Sequence, residues 1–139
     1  MKKYTSALLG LFLVIGMFAM AWANQPAVKI ADKDGVGRYL TDADGMTLYW
    51  FTKDSSGKSV CNGGCLEKWP VYYSESVAPP MGVDAKDFGT ITRPDGKTQT
   101  TFRGYPLYYF FKDSKPGDTA GQGAKNVWYV IDPQSFPPK

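Results

Sequence analysis

The sequence predicts an all-β fold: a small antiparallel β domain built from two pseudo-symmetric repeats, with few or no long helices after a signal peptide. The first observation behind this prediction is an internal repeat, since residues 45–71 align without a gap on residues 104–130, 59 positions later. The alignment contains ten identical pairs, among them Trp69 with Trp128. The second observation is composition, because 15 glycines, 10 prolines and an aromatic fraction of 15% are typical of short strands joined by tight turns.

The N-terminal residues 1–23 have the pattern of a signal peptide. Lys2 and Lys3 precede a run, residues 8–20, that is apolar apart from its glycines, and Ala21-Trp22-Ala23 has small residues at the positions a signal peptidase requires. We therefore predict cleavage after Ala23 and a periplasmic or secreted location. An uncleaved membrane anchor is the alternative, although the apolar run is shorter than the roughly 20 residues of a spanning helix.

The remaining residues 24–139 are long enough for one small β domain with its own core. We divide it into repeat 1 (about 28–73), a linker (74–88) and repeat 2 (about 89–132). Removal of Lys2 and Lys3 lowers the formal charge from +3 to +1. A nearly neutral chain without a basic stripe has no electrostatic reason to bind nucleic acid.

The sequence predicts that each repeat contains a hairpin, an aromatic core strand, a polar loop and a Trp-bearing strand. The hairpins are centred on turns rich in Asp and Gly, which favour tight reversals. The predicted strands of repeat 1 are 28–31, 38–41, 46–53 and 71–73, and those of repeat 2 are 89–93, 98–102, 107–112 and 126–131.

The side chains of the core strands alternate between two faces. Leu48 and Trp50 point to one face and Tyr49 and Phe51 to the other, and the copy in repeat 2 repeats this pattern. Because both faces are apolar, we expect these strands to be covered on both sides.

Two cysteines, Cys61 and Cys65, and no histidine limit the possible chemistry. In a secreted chain, two cysteines this close most simply form a structural disulfide, and a redox pair is the alternative. Two thiolates without histidine do not complete a zinc site, and serine or cysteine catalysis through a histidine is excluded. The Asp-rich turns lack the further ligands of an EF-hand, so we predict no metal site and no cofactor.

Several motifs together resemble one family. Residues 49–54 and 108–113 both fit the pattern Y-x-(F/W/Y)-x-x-D, and the cysteine loop 61–65, Trp69-Pro70 and residues 93–96 fit as well. In this respect the chain resembles the bacterial secreted repeat family, also described as predicted lipoproteins with that motif. The resemblance implies an extracytoplasmic bacterial protein and brings no catalytic residues. Many members carry a lipobox cysteine, and many a histidine where this chain has Tyr105; neither is present here.

The motif residues have a structural and a functional interpretation. Aromatic residues in strands are first of all core residues, and an Asp at a strand end typically accepts backbone N–H bonds from the following turn, here with the motif tyrosine as a further donor. We therefore assign a structural role to the following residues: Tyr49, Phe51, Asp54, Trp69, Tyr108, Phe110, Asp113 and Trp128. Trp50 and Tyr109, on the opposite face, are the candidates for a ligand platform.

The leading functional prediction is a non-catalytic extracytoplasmic repeat protein, not an enzyme, with a structural or binding role. Its partner would be an unidentified small molecule or envelope component, and membrane contact would occur only through an uncleaved signal peptide. The alternatives are an accessory in envelope redox or electron transfer, through the cysteine pair or an aromatic-bound cofactor, and a metal-binding envelope protein.

Overall fold

The computed structural model describes residues 26–139, so the predicted signal peptide lies outside the described residues. The structure confirms an all-β fold with one short α-helix in this part of the chain. Its elements in chain order are β1 (Val28–Lys33), β2 (Gly37–Asp42), β3 (Tyr49–Phe51), α1 (Gly64–Lys68), a 3-10 helix (Ala85–Asp87), β4 (Phe88–Thr92), β5 (Thr98–Phe102), β6 (Tyr105–Pro106), a second 3-10 helix (Ala124–Asn126) and β7 (Trp128–Val130).

Each repeat opens with the antiparallel hairpin that its turn residues predict. In repeat 1, β1 pairs with β2, and Val28 lies opposite Asp42. In repeat 2, β4 pairs with β5, and Phe88 lies opposite Phe102. The second hairpin closes through the turn that follows Arg93, where the Gly96 amide donates to the Arg93 carbonyl at 2.9 Å.

The Trp-bearing end of each repeat pairs with the core strand of the other repeat. Strand β3 of repeat 1 pairs with β7 of repeat 2, so that Phe51 lies opposite Trp128. The equivalent segment of repeat 2 pairs with the end of repeat 1, since the Phe111 amide donates to the Lys68 carbonyl at 2.9 Å. Neither core segment is therefore paired within its own repeat at this edge.

The centre of this exchange is a pair of motif tyrosines. The Tyr49 amide donates to the Tyr108 carbonyl at 2.8 Å, and the Tyr108 amide donates back to the Tyr49 carbonyl at 3.0 Å. A reciprocal pair between corresponding residues of the two repeats places an approximate twofold axis at this point, and we call it the pseudo-dyad.

The core strands are shorter than predicted. Regular pairing covers only Tyr49–Phe51 in repeat 1, and in repeat 2 the segment 107–112 joins the ladder through single bridges at Tyr108. Pro70 explains the difference between the repeats, because it accepts from the Tyr109 amide at 2.7 Å but has no N–H to donate in return. Its counterpart Tyr129 keeps its N–H and pairs with Trp50 in a regular ladder.

The alternation of the core strands separates two apolar clusters, as predicted. The first cluster contains Leu48 and Leu107, and Trp50 and Tyr109 pack against it. The second contains Tyr49, Phe51, Tyr108, Trp69 and Trp128, with Phe110 packed against it. Leu48, Tyr49, Leu107 and Tyr108 are all fully buried, so these strands are covered on both faces.

Candidate functional site

The motif tyrosines and aspartates form hydrogen bonds across the repeats. The Tyr49 hydroxyl donates to Asp113 Oδ2 at 2.7 Å. The Tyr108 hydroxyl donates to Asp54 Oδ2 at 2.6 Å. The expectation that each tyrosine donates to the aspartate of its own motif was therefore wrong, because the pairing across the pseudo-dyad carries each side chain into the other repeat.

The second oxygen of each aspartate closes the turn that follows its strand, as predicted. Asp54 Oδ1 accepts from the Val60 amide at 2.7 Å. Asp113 Oδ1 accepts from the Ala120 amide at 2.9 Å. Each carboxylate thus joins the loop of its own repeat to the core strand of the other.

Burial sets the protonation of these groups. It raises the pKa of Tyr49 and of Tyr108 well above the usual range for tyrosine, and the bonded carboxylates add to the shift. Burial also raises the pKa of Asp54 and of Asp113, and the hydrogen bonds from tyrosine and backbone oppose that shift. The tyrosines are therefore held as neutral hydrogen-bond donors.

Arg93 is a buried cation that sequence reasoning did not identify. It is 3% exposed, and its Nη1 donates to Ser59 Oγ and to Gln99 Oε1, each at 2.7 Å. Its Nη2 donates to the Cys61 carbonyl. Ser59 Oγ lies 2.6 Å from the Tyr108 hydroxyl, so the arginine extends the network of that tyrosine. The only sequence signal was the arginine before a Pro-Asp-Gly turn, which predicts the turn and not the burial.

Four aromatic rings form a continuous stack across the pseudo-dyad. Phe51 stacks on Trp128 with a centroid distance of 4.2 Å, Trp128 on Trp69 at 3.8 Å, and Trp69 on Phe110 at 4.2 Å. The outer rings occupy corresponding positions in the two repeats, and so do the two tryptophans. We call this set the four-ring stack. Along the stack, the rings come alternately from repeat 1 and repeat 2.

Cys61 and Cys65 form the predicted disulfide beside the four-ring stack. Cys61 is 1% exposed and belongs to the second apolar cluster, and Cys65 is half-buried. The bridge holds the loop that leads into α1. Repeat 2 has Ala124 at the position that corresponds to Cys65.

An open groove of about 520 Å³ lies on the four-ring stack, and we call it the dyad groove. It is lined by corresponding residues of both repeats, since Lys53 and Lys112 occupy matching positions and Cys65 faces the groove together with Ala124. Its aromatic lining is Phe51, Trp69, Phe110, Phe111 and Trp128, and its charged lining is Lys53, Lys68, Lys112 and Lys125. The four lysines were missed because they are far apart in sequence.

Trp50 and Tyr109 lie on the other side of the core strands. The Trp50 ring packs edge-on against Tyr105 and Phe136 and lines a second groove with Arg38. Tyr109 contacts other residues, since its hydroxyl donates to Asp42 at 2.7 Å. The two rings thus have separate surroundings, and their role as a ligand platform stays a prediction.

The Asp-rich turn after β2 shows ordinary turn chemistry. Asp42 Oδ1 accepts from the amides of Asp44 and Met46, both at 2.9 Å. Among residues 26–139, no group of three or more His, Cys, Asp or Glu side chains is placed to hold a metal ion.

Comparison with known families identifies the repeat. The model of a family described as a secreted repeat of unknown function matches residues 30–72 and 89–132, which correspond to the two repeats and span more than half of the chain. No curated protein and no solved structure matches the chain. The described part of the chain, residues 26–139, contains no helix with the length and apolar character needed to cross a membrane. The chain belongs to the family of secreted repeats of unknown function.

Proposed function

We propose that the chain is a non-catalytic, extracytoplasmic binding module whose ligand site is the dyad groove. The observation that carries this proposal is the construction of the groove from corresponding residues of both repeats on top of the four-ring stack. The repeat thereby provides one site from two diverged halves.

The Tyr/Asp motif supports a structural role and not a catalytic one. Tyr49 and Tyr108 are fully buried, and each hydroxyl is bonded to a carboxylate and to one further polar group. A group that reacts with substrate must be accessible to it, and these hydroxyls are enclosed in the second apolar cluster.

The dyad groove has the size and the surface of a ligand site. Its volume of about 520 Å³ lies within the roughly 300–1,000 Å³ of typical small-molecule pockets. Phe111 at the groove is 51% exposed, whereas aromatic rings of small domains are usually needed in the core. A large exposed ring beside other rings marks a binding surface.

Fluorescence titration with N-phenyl-1-naphthylamine, an uncharged aromatic probe, tests the proposal. We expect saturable binding to residues 24–139, weakened roughly fivefold, or about 1 kcal/mol, by Phe111→Ala. The matched control is Tyr73→Ala, which removes a ring that is 46% exposed and lies outside the dyad groove. Absence of saturable binding, or equal loss in both variants, contradicts the binding site. Turnover that depends on one polar residue contradicts the non-catalytic role.

A further inference from the structure

Building on that proposed function, we infer that the ligand of the dyad groove is a small anionic molecule with a flat apolar body, such as an aromatic carboxylate or sulfonate. The anionic group lies among the lysines, and the apolar body lies on the four-ring stack.

The dyad groove is positively charged. Four exposed lysines line it, and no aspartate or glutamate is among its lining residues. Lys53 and Lys112 contribute one ammonium group from each repeat at matching positions. The chain after Ala23 has a formal charge of only +1, so four cations at one groove are a local concentration and not a general property of the surface.

The groove lysines are available to a ligand. The ion pairs within residues 26–139 are formed by Arg93 and Arg103, and the groove lysines take no part in them. The Lys112 ammonium lies 5.7 Å from the Phe111 ring centroid, beside the exposed aromatic surface. A ligand that combines negative charge with apolar surface is complementary to both features.

The orientation of the rings also favours an anionic ligand. Both faces of Trp69 and both faces of Trp128 are covered by neighbouring rings of the stack. What remains for a ligand at these two residues is the ring edge, which carries the positive part of the aromatic quadrupole. Ring edges therefore favour the same sign of ligand charge as the lysines do.

The second groove is a weaker candidate. It has a volume of about 780 Å³, but Arg38 and Asp132 give it charges of both signs. It is not built from corresponding positions of the two repeats, so nothing there specifies the charge of a ligand.

A pair of fluorescent probes tests the inference separately from the proposed function. 8-Anilino-1-naphthalenesulfonate has the same aromatic skeleton as N-phenyl-1-naphthylamine plus one sulfonate. We expect residues 24–139 to bind the sulfonate roughly tenfold more tightly than the neutral probe, a difference of about 1.4 kcal/mol. This preference should shrink when the salt concentration rises from about 0.05 M to about 0.5 M.

Matched charge variants locate the effect. Lys53→Gln combined with Lys112→Gln should weaken sulfonate binding roughly tenfold more than it weakens binding of the neutral probe. The control is Lys29→Gln combined with Lys86→Gln, which removes the same charge from exposed lysines outside the groove. Unchanged melting temperatures establish that both variants are folded.

The outcomes distinguish the two ideas. Equal affinity for both probes, or equal effects of the two double variants on sulfonate binding, overturns the inference of an anionic ligand while the binding site stands. Loss of saturable binding for both probes contradicts the proposed function itself. A sulfonate preference abolished only by the groove variant supports both.

Discussion

Arg93→Met tests the buried network around the cysteine loop. The substitution removes the donors to Gln99 Oε1 and to the Cys61 carbonyl, whereas Ser59 keeps the Tyr108 hydroxyl as a partner. Gln99 Oε1 is then left without a donor, and the Cys61 carbonyl keeps only the Ser59 hydroxyl at 3.5 Å, at a cost of about 1–3 kcal/mol each. Methionine recovers part of this by packing. We expect the free energy of unfolding to fall by about 2–4 kcal/mol. The exposed carboxylate of Asp95 is left out of this figure.

The assay is urea unfolding followed by tryptophan fluorescence, with the slope of the free energy against urea compared between variants. Arg93→Lys keeps the charge but not the planar set of guanidinium donors. Its free energy of unfolding should therefore lie between those of the wild type and Arg93→Met. Arg38→Met is the control, because Arg38 lies half-buried on β2 outside this network, and we expect a change within about 0.5 kcal/mol. A loss for Arg93→Met no larger than that for Arg38→Met would refute the reasoning.

Two further predictions concern a glycine and the buried tyrosines. Gly104 has a φ of +89°, and an added Cβ would clash with Ser56 Oγ and lie 3.2 Å from Ser56 Cβ, so Gly104→Ala should lower the free energy of unfolding by about 2–3 kcal/mol. The control Gly57→Ala, where φ is +78° and nothing lies within 4 Å, should lower it by about 1 kcal/mol, and similar losses for the two variants in urea unfolding would count against this contact. Above pH about 10, the free energy of unfolding should fall, because tyrosines ionise in the unfolded chain while those with a raised pKa stay protonated in the folded chain. Phenolate absorbance should show that three tyrosines titrate only on unfolding: Tyr49, Tyr108 and Tyr109.

Local pattern was enough to predict the elements and the faces of the core strands. The alternation of Leu48 and Trp50 with Tyr49 and Phe51 fixes which residues share a face, because the side-chain period of a strand is two. The Asp-Gly and Pro-Asp-Gly turns likewise predict the two hairpins, since they act within a few residues.

The exchange between the repeats could not be read from the sequence. An internal alignment says that Tyr49 corresponds to Tyr108, but strands of one repeat and of its copy have the same pattern and compete equally for the same partner. Whether the strands pair within a repeat or across the repeats depends on how the two repeats pack against each other. Asp54 and Asp113 were correctly predicted as turn acceptors because those bonds are local. Their tyrosine donors were assigned to the wrong repeat because those bonds depend on the packing of the two repeats.

The functional surface escaped prediction for a related reason. Lys53 and Lys112 occupy corresponding positions of the aligned motif, but Lys68 and Lys125 align with apolar residues of the other repeat, and only the folded chain brings all four to one groove. A sum of charges over the whole chain hides such a local concentration. Arg93 was missed because a turn arginine is ordinarily exposed.

Each repeat is completed by the tyrosine of the other, and a pair of double-mutant cycles on Tyr49→Phe measures this dependence directly. We predict a coupling energy of about 1–3 kcal/mol between Tyr49→Phe and Asp113→Ala, whose side chains are 2.7 Å apart. Between Tyr49→Phe and Asp54→Ala, which belong to one motif but share no hydrogen-bond partner, we predict less than about 0.5 kcal/mol. A larger coupling to Asp54 than to Asp113 would contradict the exchange.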